Sequence, residues 1–149
     1  MNSTNQPLQA LEASIQLARQ NFEEAKTDLA LKHIKEGLQI DEYNAQLLEI
    51  AASTHLRSNN NIEAITYAQK LITHHPRNPH GYSRHAQALL QQKQPFDANQ
   101  MALSGLQEAP HNQQLLALAS ESYQALERWD QSLELANQLI EFHPSLHMG

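Results

Sequence analysis

Histidine is the residue type in this sequence that first suggests chemistry. Nine histidines occur in 149 residues, and His74, His75, His80 and His85 lie close together in the chain. Zinc bound without thiolates needs three nitrogen or carboxylate ligands that converge on one point. In the helical register described below, these four side chains point in different directions. We therefore interpret them as packing, capping or solvent-exposed residues, and we predict no metal site and no cofactor.

Acidic pairs are the second candidate for chemistry, because two neighbouring carboxylates can act as acid and base. Glu23-Glu24 and Glu127 with Asp130 are such pairs. Adjacent acids point apart on a helix, however, and acids near a helix start stabilise its dipole. The sequence contains no cysteine and only four glycines, which excludes a thiol nucleophile, a disulfide and a glycine-rich phosphate loop. We predict that the protein is not an enzyme.

Composition narrows the classes of partner and the compartment. Ten basic and sixteen acidic residues give a net charge of −6 at pH 7, without a basic stripe that would attract nucleic acid. No apolar run is long enough to span a membrane. Residues 1–7 lack the basic and apolar regions of a secretory signal. We expect a cytoplasmic protein that binds neither nucleic acid nor membrane.

The elements that position these residues are predicted to be helices. Apolar residues recur at helical spacing and strand signals are nearly missing, which predicts eight short helices joined by short turns. Residues 1–7 are expected to be frayed. Asn61, and Thr27 or Asp28, are suited to cap the helices that follow them, and Pro95 fits a first helical position.

A fixed repeat period organises these helices. Pro76, Pro110 and Pro144 are equally spaced in the chain, and their period of about 34 residues indicates a stacked array of repeats. When the sequence is written with one repeat per row, equivalent residues of the four repeats form columns. Small residues at two columns predict that the two helices of each hairpin cross closely there. Two further columns are expected to fill the space between successive hairpins. The small columns are Ala18, Ala52, Ala86, Ser120 and Ala30, Ala64, Ala98, Ser132; the others are Leu38, Ile72, Leu106, Ile140 and Gly37, Leu71, Gly105, Leu139. We expect Phe96 and Trp129, near the starts of second helices, to pack in the core.

Residues 11–144 resemble the tetratricopeptide repeat, whose pattern asks for a bulky residue, small residues, aromatics and a proline in order. The fourth row shows it best, with Leu116, Ala119-Ser120, Tyr123, Trp129, Ser132-Leu133 and Pro144. The resemblance implies an all-α fold: a right-handed superhelical solenoid of antiparallel helical hairpins. Its four hairpins form one domain over 11–44, 45–78, 79–112 and 113–146. An N-terminal tail and the start of the first helix precede them at 1–10, and 147–149 are a tail or the start of a further segment.

In similar arrays the first helix of each hairpin lines a concave groove, and this implies a set of candidate binding residues. Amides and arginines on rigid helices suit an extended peptide. The candidates are Arg19, Phe22, Gln46, Glu49, Ser53, Arg57, His80, Ser83, Arg84, Gln87, Gln91, Gln114, Glu121 and Gln124. The clamp that holds chaperone C-termini in some arrays would occupy Ile15, Arg19, Ile50, His80 and Arg84, but its asparagines and first lysine are missing here.

The C-terminal edge of the array is expected to be partly bare. Leu135, Leu139 and Phe142 make the last helix no more polar than internal ones, so we expect a longer protein or pairing with another copy, for example as a homodimer. Leu146 and Met148 could open a fifth hairpin. The favoured function is a scaffold for a peptide or partner protein. Two alternatives remain open: an accessory domain of a larger enzyme such as a transferase, and a secretion-type chaperone.

Overall fold

The computed structural model describes residues 5–145, which form eight α-helices. The helices are α1 (Asn5–Glu23), α2 (Thr27–Ile40), α3 (Ala45–Arg57), α4 (Asn61–His74), α5 (Pro79–Gln91), α6 (Pro95–Glu108), α7 (Gln113–Ala125) and α8 (Trp129–Phe142). None of these described helices combines the length and apolar character needed to cross a membrane. Asn5–Pro7 belong to α1 and are not frayed as expected. Pro7 fits the first turn because an N–H at that position would have no helical partner.

Every first helix of a hairpin ends in the same way. A residue in the left-handed region follows each of them: Ala25, Asn59, Lys93 and Glu127, with φ between 57° and 59°. The next amide donates to the carbonyl five residues earlier, as Lys26 does to Asn21 at 2.8 Å. This is the Schellman arrangement, which satisfies the last helical carbonyls and reverses the chain within three residues.

Helix capping follows the repeat period, but not at the positions expected from the sequence. Asn44, Asn78 and Asn112 accept backbone N–H bonds at the starts of α3, α5 and α7. Asn61 is the first residue of α4, and its Oδ1 has no partner among residues 5–145, so the predicted cap is wrong. Thr27 and Asp28 likewise lie inside α2. The prediction for Pro95 is confirmed, since it begins α6.

The small columns lie where the two helices of each hairpin cross. Ala18, Ala30 and Ala64 are fully buried. In the fourth hairpin, Ser120 Oγ donates to the Ser132 carbonyl at 3.0 Å, and Ser132 Oγ donates back to the Ser120 carbonyl at 3.1 Å. These reciprocal bonds show that the two columns face each other, which confirms the register. The serines satisfy their buried hydroxyl groups on each other's backbone.

The hairpins stack in chain order, and each second helix packs on the first helix of the next hairpin. The odd-numbered helices also contact one another: α1 contacts α3, α3 contacts α5, and α5 contacts α7. No two even-numbered helices are in contact within residues 5–145. The odd-numbered helices therefore form the tighter, inner row of a curved solenoid, and the even-numbered helices form the outer row.

Candidate functional site

A pocket of about 310 Å³ lies on the inner row, where α1, α3 and α5 meet. Its lining combines two cationic groups, two amides, a hydroxyl and two apolar side chains: Phe22, Ser53, Leu56, Arg57, Arg84, Gln87 and Gln91. Because these residues come from three successive hairpins, stacking of the repeats creates the pocket. The helices that carry them are packed on their neighbours, which holds the side chains on a rigid frame.

Arg84 is the least solvated charge in this pocket. Its side chain is only 18% exposed, and one terminal nitrogen lies 3.6 Å from Glu49 Oε1. Its Nε has no hydrogen-bond partner among the described residues. Burial lowers the pKa of the Arg84 guanidinium, and the nearby Glu49 partly opposes that shift. Arg84 thus carries a positive charge that the protein pairs loosely, at 3.6 Å, with a carboxylate that His80 Nδ1 also approaches at 3.5 Å.

Arg57 is held in place at the end of α3 by the preceding hairpin. Its guanidinium carbon lies 3.7 Å from the centroid of the Phe22 ring, within the range of a cation–π contact. The same group donates a hydrogen bond to the Phe22 carbonyl oxygen near the end of α1. Phe22 therefore fixes the position of the guanidinium at one end of the pocket, and the group remains exposed to solvent.

Comparison with known proteins places this geometry in a known fold. No protein-family model and no curated protein sequence matches the chain. MamA is similar in structure, with a TM-score of 0.81 and 13% identity over 93% of this chain and 81% of that one. TTC0263, a thermophilic TPR protein of Thermus thermophilus, has a TM-score of 0.80 and 16% identity over 90% and 75%. The chain has the tetratricopeptide-repeat fold.

A third similar structure is a tetratricopeptide domain with a peptide in place. The first TPR of Spaghetti (RPAP3), bound to the HSP90 peptide SRMEEVD, has a TM-score of 0.75 and 21% identity. The match covers 80% of this chain and 94% of that one. These similarities confirm the fold class that the sequence predicts. At this level of identity they carry the fold only.

The tetratricopeptide array brings six of the fourteen predicted groove residues into one pocket. They are Phe22, Ser53, Arg57, Arg84, Gln87 and Gln91. Leu56 is the seventh lining residue. Arg19 lies beyond this lining and donates a hydrogen bond to Gln46 Oε1 at 3.0 Å, which links α1 to α3. Both ends of that bond are exposed, so it stabilises the array weakly and leaves both side chains accessible.

The remaining candidates lie elsewhere along the inner row. His80 and Gln114 line a second pocket of about 490 Å³ with Ala117 and Leu139, between α5, α7 and α8. Glu121 and Gln124 are exposed on α7. The prediction of Ser83 as a groove residue is wrong, because Ser83 is only 1% exposed. Its hydroxyl donates to the His80 carbonyl at 3.1 Å, so this short side chain turns back onto its own helix and is covered.

The histidines have structural roles that sequence reasoning missed. The imidazole of His75 donates from Nε2 to the Tyr43 carbonyl at 2.6 Å, and His143 donates in the same way to the His111 carbonyl at 2.7 Å. His74 stacks on Tyr43 with ring centroids 3.6 Å apart. Each bond ties the end of a hairpin to the turn that precedes the same hairpin. His75 and His143 lie two repeats apart in the sequence, and this recurrence was the signal from which the two bonds could have been predicted. In the described part of the chain, no group of three side chains could hold a metal ion.

The expectation that Phe96 and Trp129 pack in the core is wrong, whereas the expectation of a partly bare C-terminal edge agrees with the structure. Phe96 and Trp129, in the first turns of α6 and α8, are 63% and 64% exposed. Leu135 packs inward against the core cluster of Ala86, Ala102, Leu118 and Ala119. Leu139 is half-buried. Phe142 is 40% exposed, with its ring 3.8 Å from the His111 ring. Leu146 and Met148 lie outside the described residues.

Proposed function

We propose that this chain is a protein-interaction scaffold that holds an extended peptide, or an extended segment of a partner protein, along its inner row of helices. The observation that carries the proposal is the pocket between α1, α3 and α5 with its two guanidinium groups. Preformed helices present those groups without an ordering cost at the moment of binding. The peptide in the RPAP3 structure shows that an array of this fold can hold such a ligand.

The chemistry of the pocket favours an acidic side chain in the ligand. Arg84 is only 18% exposed and its terminal nitrogen pairs loosely with Glu49 at 3.6 Å, so an incoming carboxylate could give this guanidinium a closer, charge-assisted hydrogen bond. Arg57 offers a second, exposed guanidinium. Gln87 and Gln91 can bind the peptide backbone with their amides. The proposed ligand therefore has an extended backbone and at least one Asp or Glu.

Two other functions stay predictions: an accessory domain of a larger enzyme such as a transferase, and a secretion-type chaperone. Both would use the same inner row to bind protein, and neither requires catalysis by residues 5–145. A binding partner captured by the purified array and identified by mass spectrometry separates them from a simple scaffold.

The test uses fluorescently labelled peptides that match a captured partner segment, and copies in which Asp and Glu are replaced by Asn and Gln. Arg57→Gln and Arg84→Gln are each expected to weaken binding of the acidic peptide about 10-fold or more, because a charge-assisted hydrogen bond contributes about 1.5–3 kcal/mol. Arg77→Gln is the matched control, since Arg77 is exposed in the turn before α5. Fluorescence anisotropy measures the affinities. Equal affinities for both peptides and all variants would move the binding surface away from this pocket.

A further inference from the structure

The outward face of α8, the last described helix, carries exposed apolar side chains. Leu133 is 61% exposed and Ile140 is 45% exposed. The residues equivalent to Ile140 in the other hairpins, Leu38, Ile72 and Leu106, are half-buried. In α4 this face is covered by α5, and in α6 it is covered by α7. The face of α8 therefore has the chemistry of an internal junction without a helix on it among residues 5–145.

Size complementarity controls the internal junctions. A Cβ on Gly37 of α2 would lie 2.5 Å from Leu47 Cδ1 of α3, and a Cβ on Gly105 of α6 would lie 2.8 Å from Leu115 Cδ1 of α7. At the middle junction the sizes are reversed, since a Cβ on Gly81 of α5 would lie 3.3 Å from Leu71 Cγ of α4. Each junction thus contains one leucine and one glycine in contact, and the order alternates along the stack.

The free face of α8 repeats the face of α4. Residues two repeats apart are identical at three places, which are Ala68 and Ala136, Leu71 and Leu139, and Ile72 and Ile140. Leu139 therefore presents the large residue of a junction, as Leu71 does. The helix that covers it must carry a small residue where α5 carries Gly81.

The first helix of the array meets this requirement. The residue of α1 at the column of Gly81 is Ala13, which is exposed and has no helix before it among the described residues. Leu17, one turn further along α1, is 40% exposed, whereas the equivalent residues Ala51 and Ala119 of later hairpins are buried. Ala13 carries one methyl group more than Gly81. Two separate chains can adjust to it by moving apart slightly, because no loop fixes their distance.

We propose that α1 of a second copy of this chain packs on α8 of the first, so that copies stack head to tail and continue the solenoid. The contact joins two different surfaces, so each copy keeps one free face and assembly can extend beyond a dimer. The concave groove of one copy would run on into that of the next. The proposal is independent of peptide binding in the pocket.

Two blocking variants test the proposal in the 149-residue chain. Ala13→Arg places a charge on the α1 face and Ile140→Arg places one on the α8 face; both sites are exposed, so the monomer should fold normally by circular dichroism. In sedimentation velocity the parent chain is expected to form concentration-dependent species heavier than 16.9 kDa. Each variant alone is expected to stay monomeric. An equimolar mixture is expected to form a species of twice 16.9 kDa and nothing heavier, because one productive pair of faces remains.

Each alternative occupant of the α8 face gives a different result. If Ala13→Arg alone still dimerises, two α8 faces pair with each other and the proposal is wrong. If the parent chain stays monomeric at about millimolar concentration, or the mixture stays monomeric, a different segment or protein covers the face and the proposal is also wrong. Gln131→Arg is the control, since it adds the same charge to α8 at a position whose equivalents Glu63 and Asp97 are exposed on internal helices. It should assemble like the parent.

Discussion

His85 is a titratable side chain placed where the other hairpins carry apolar residues. Leu17, Ala51 and Ala119 occupy the same column. His85 Nδ1 is buried and has no hydrogen-bond partner among residues 5–145. Burial lowers the pKa of His85 below its ordinary value of 6.5, because the charged imidazolium loses solvation. The neutral form therefore fits the folded protein better than the protonated form does.

This lowered pKa predicts that acid destabilises the array. Below the ordinary pKa of 6.5 the unfolded chain binds a proton at His85 that the folded chain does not, so the free energy of unfolding falls as the pH decreases through that value. In His85→Ala, the difference in Tm between about pH 7.5 and about pH 5.5 should be smaller than in the parent. Burial also lowers the pKa of His55, which stays in both proteins. An unchanged Tm difference would contradict this account.

The alanines at the helix crossings give a second prediction at this scale. Ala64 is fully buried and Ala98 is 1% exposed, so no space exists for a larger side chain. Ala64→Leu and Ala98→Leu should each lower the free energy of unfolding by about 1–3 kcal/mol through overpacking. Ala10→Leu on the exposed part of α1 is the control. Thermal melts within a degree of the parent for both buried variants would disprove the register.

Predictions for single residues succeed where the repeat period alone determines whether a side chain is buried. Ala64 is buried because every equivalent residue lies at a helix crossing. The predictions for Ser83 and Phe96 fail for a different reason. Which side chain is covered on a given face depends on its length and on the residues of the neighbouring helices, and the repeat period does not contain that information. Six groove candidates meet in one pocket because helix direction decides their side of the array.

Helix ends are the element-scale feature that the sequence concealed. Glycine is the usual residue in the left-handed position after a helix, and none of Ala25, Asn59, Lys93 and Glu127 is glycine. The sequence therefore contains no glycines that would have indicated this turn in every repeat. The three asparagine caps at Asn44, Asn78 and Asn112 do recur with the same period, and the spacing alone could have identified them.

The turn after α1 contains a correctable strain. Ala25 adopts φ 58°, a region that costs a residue with a Cβ about 1–2 kcal/mol. Ala25→Gly should raise the free energy of unfolding by about 0.5–1 kcal/mol, since glycine loses some of the gain through its unfolded-state entropy. Urea denaturation measures the change. Ala10→Gly, inside α1, should lower the free energy of unfolding by a similar amount. A destabilised Ala25→Gly variant would contradict the Schellman description of this turn.

At the scale of the whole molecule, stability is carried by contacts between neighbouring hairpins. Such an array behaves approximately as a chain of units, each stabilised by its own packing and by its junctions with its neighbours. The sequence predicted this architecture correctly because each row of the repeat carries the same packing columns. It could not predict how closely each junction fits, since the fit depends on which of two partners carries the leucine.

The middle junction is the place where one substitution should divide the array. A Cβ on Gly81 would lie 2.9 Å from Ile72 Cγ1 and 3.2 Å from the Ile72 backbone nitrogen. Backbone cannot move aside as a side-chain end can, so Gly81→Leu should force α5 away from α4. We expect a loss of about 1–3 kcal/mol from overpacking, and separate unfolding of α1–α4 and α5–α8.

Hydrogen exchange and urea denaturation measure this loss of coupling. In Gly81→Leu, amide protection should fall most in α4 and α5, and the urea transition should broaden because the two halves no longer unfold together. Ala13→Leu is the matched control, because it adds a leucine at the same column of α1 where no helix lies against it among the described residues. Measured on the monomer, it should unfold as sharply as the parent. A sharp single transition in Gly81→Leu, with protection lost evenly over all eight helices, would show that the array is one cooperative unit and not a chain of coupled hairpins.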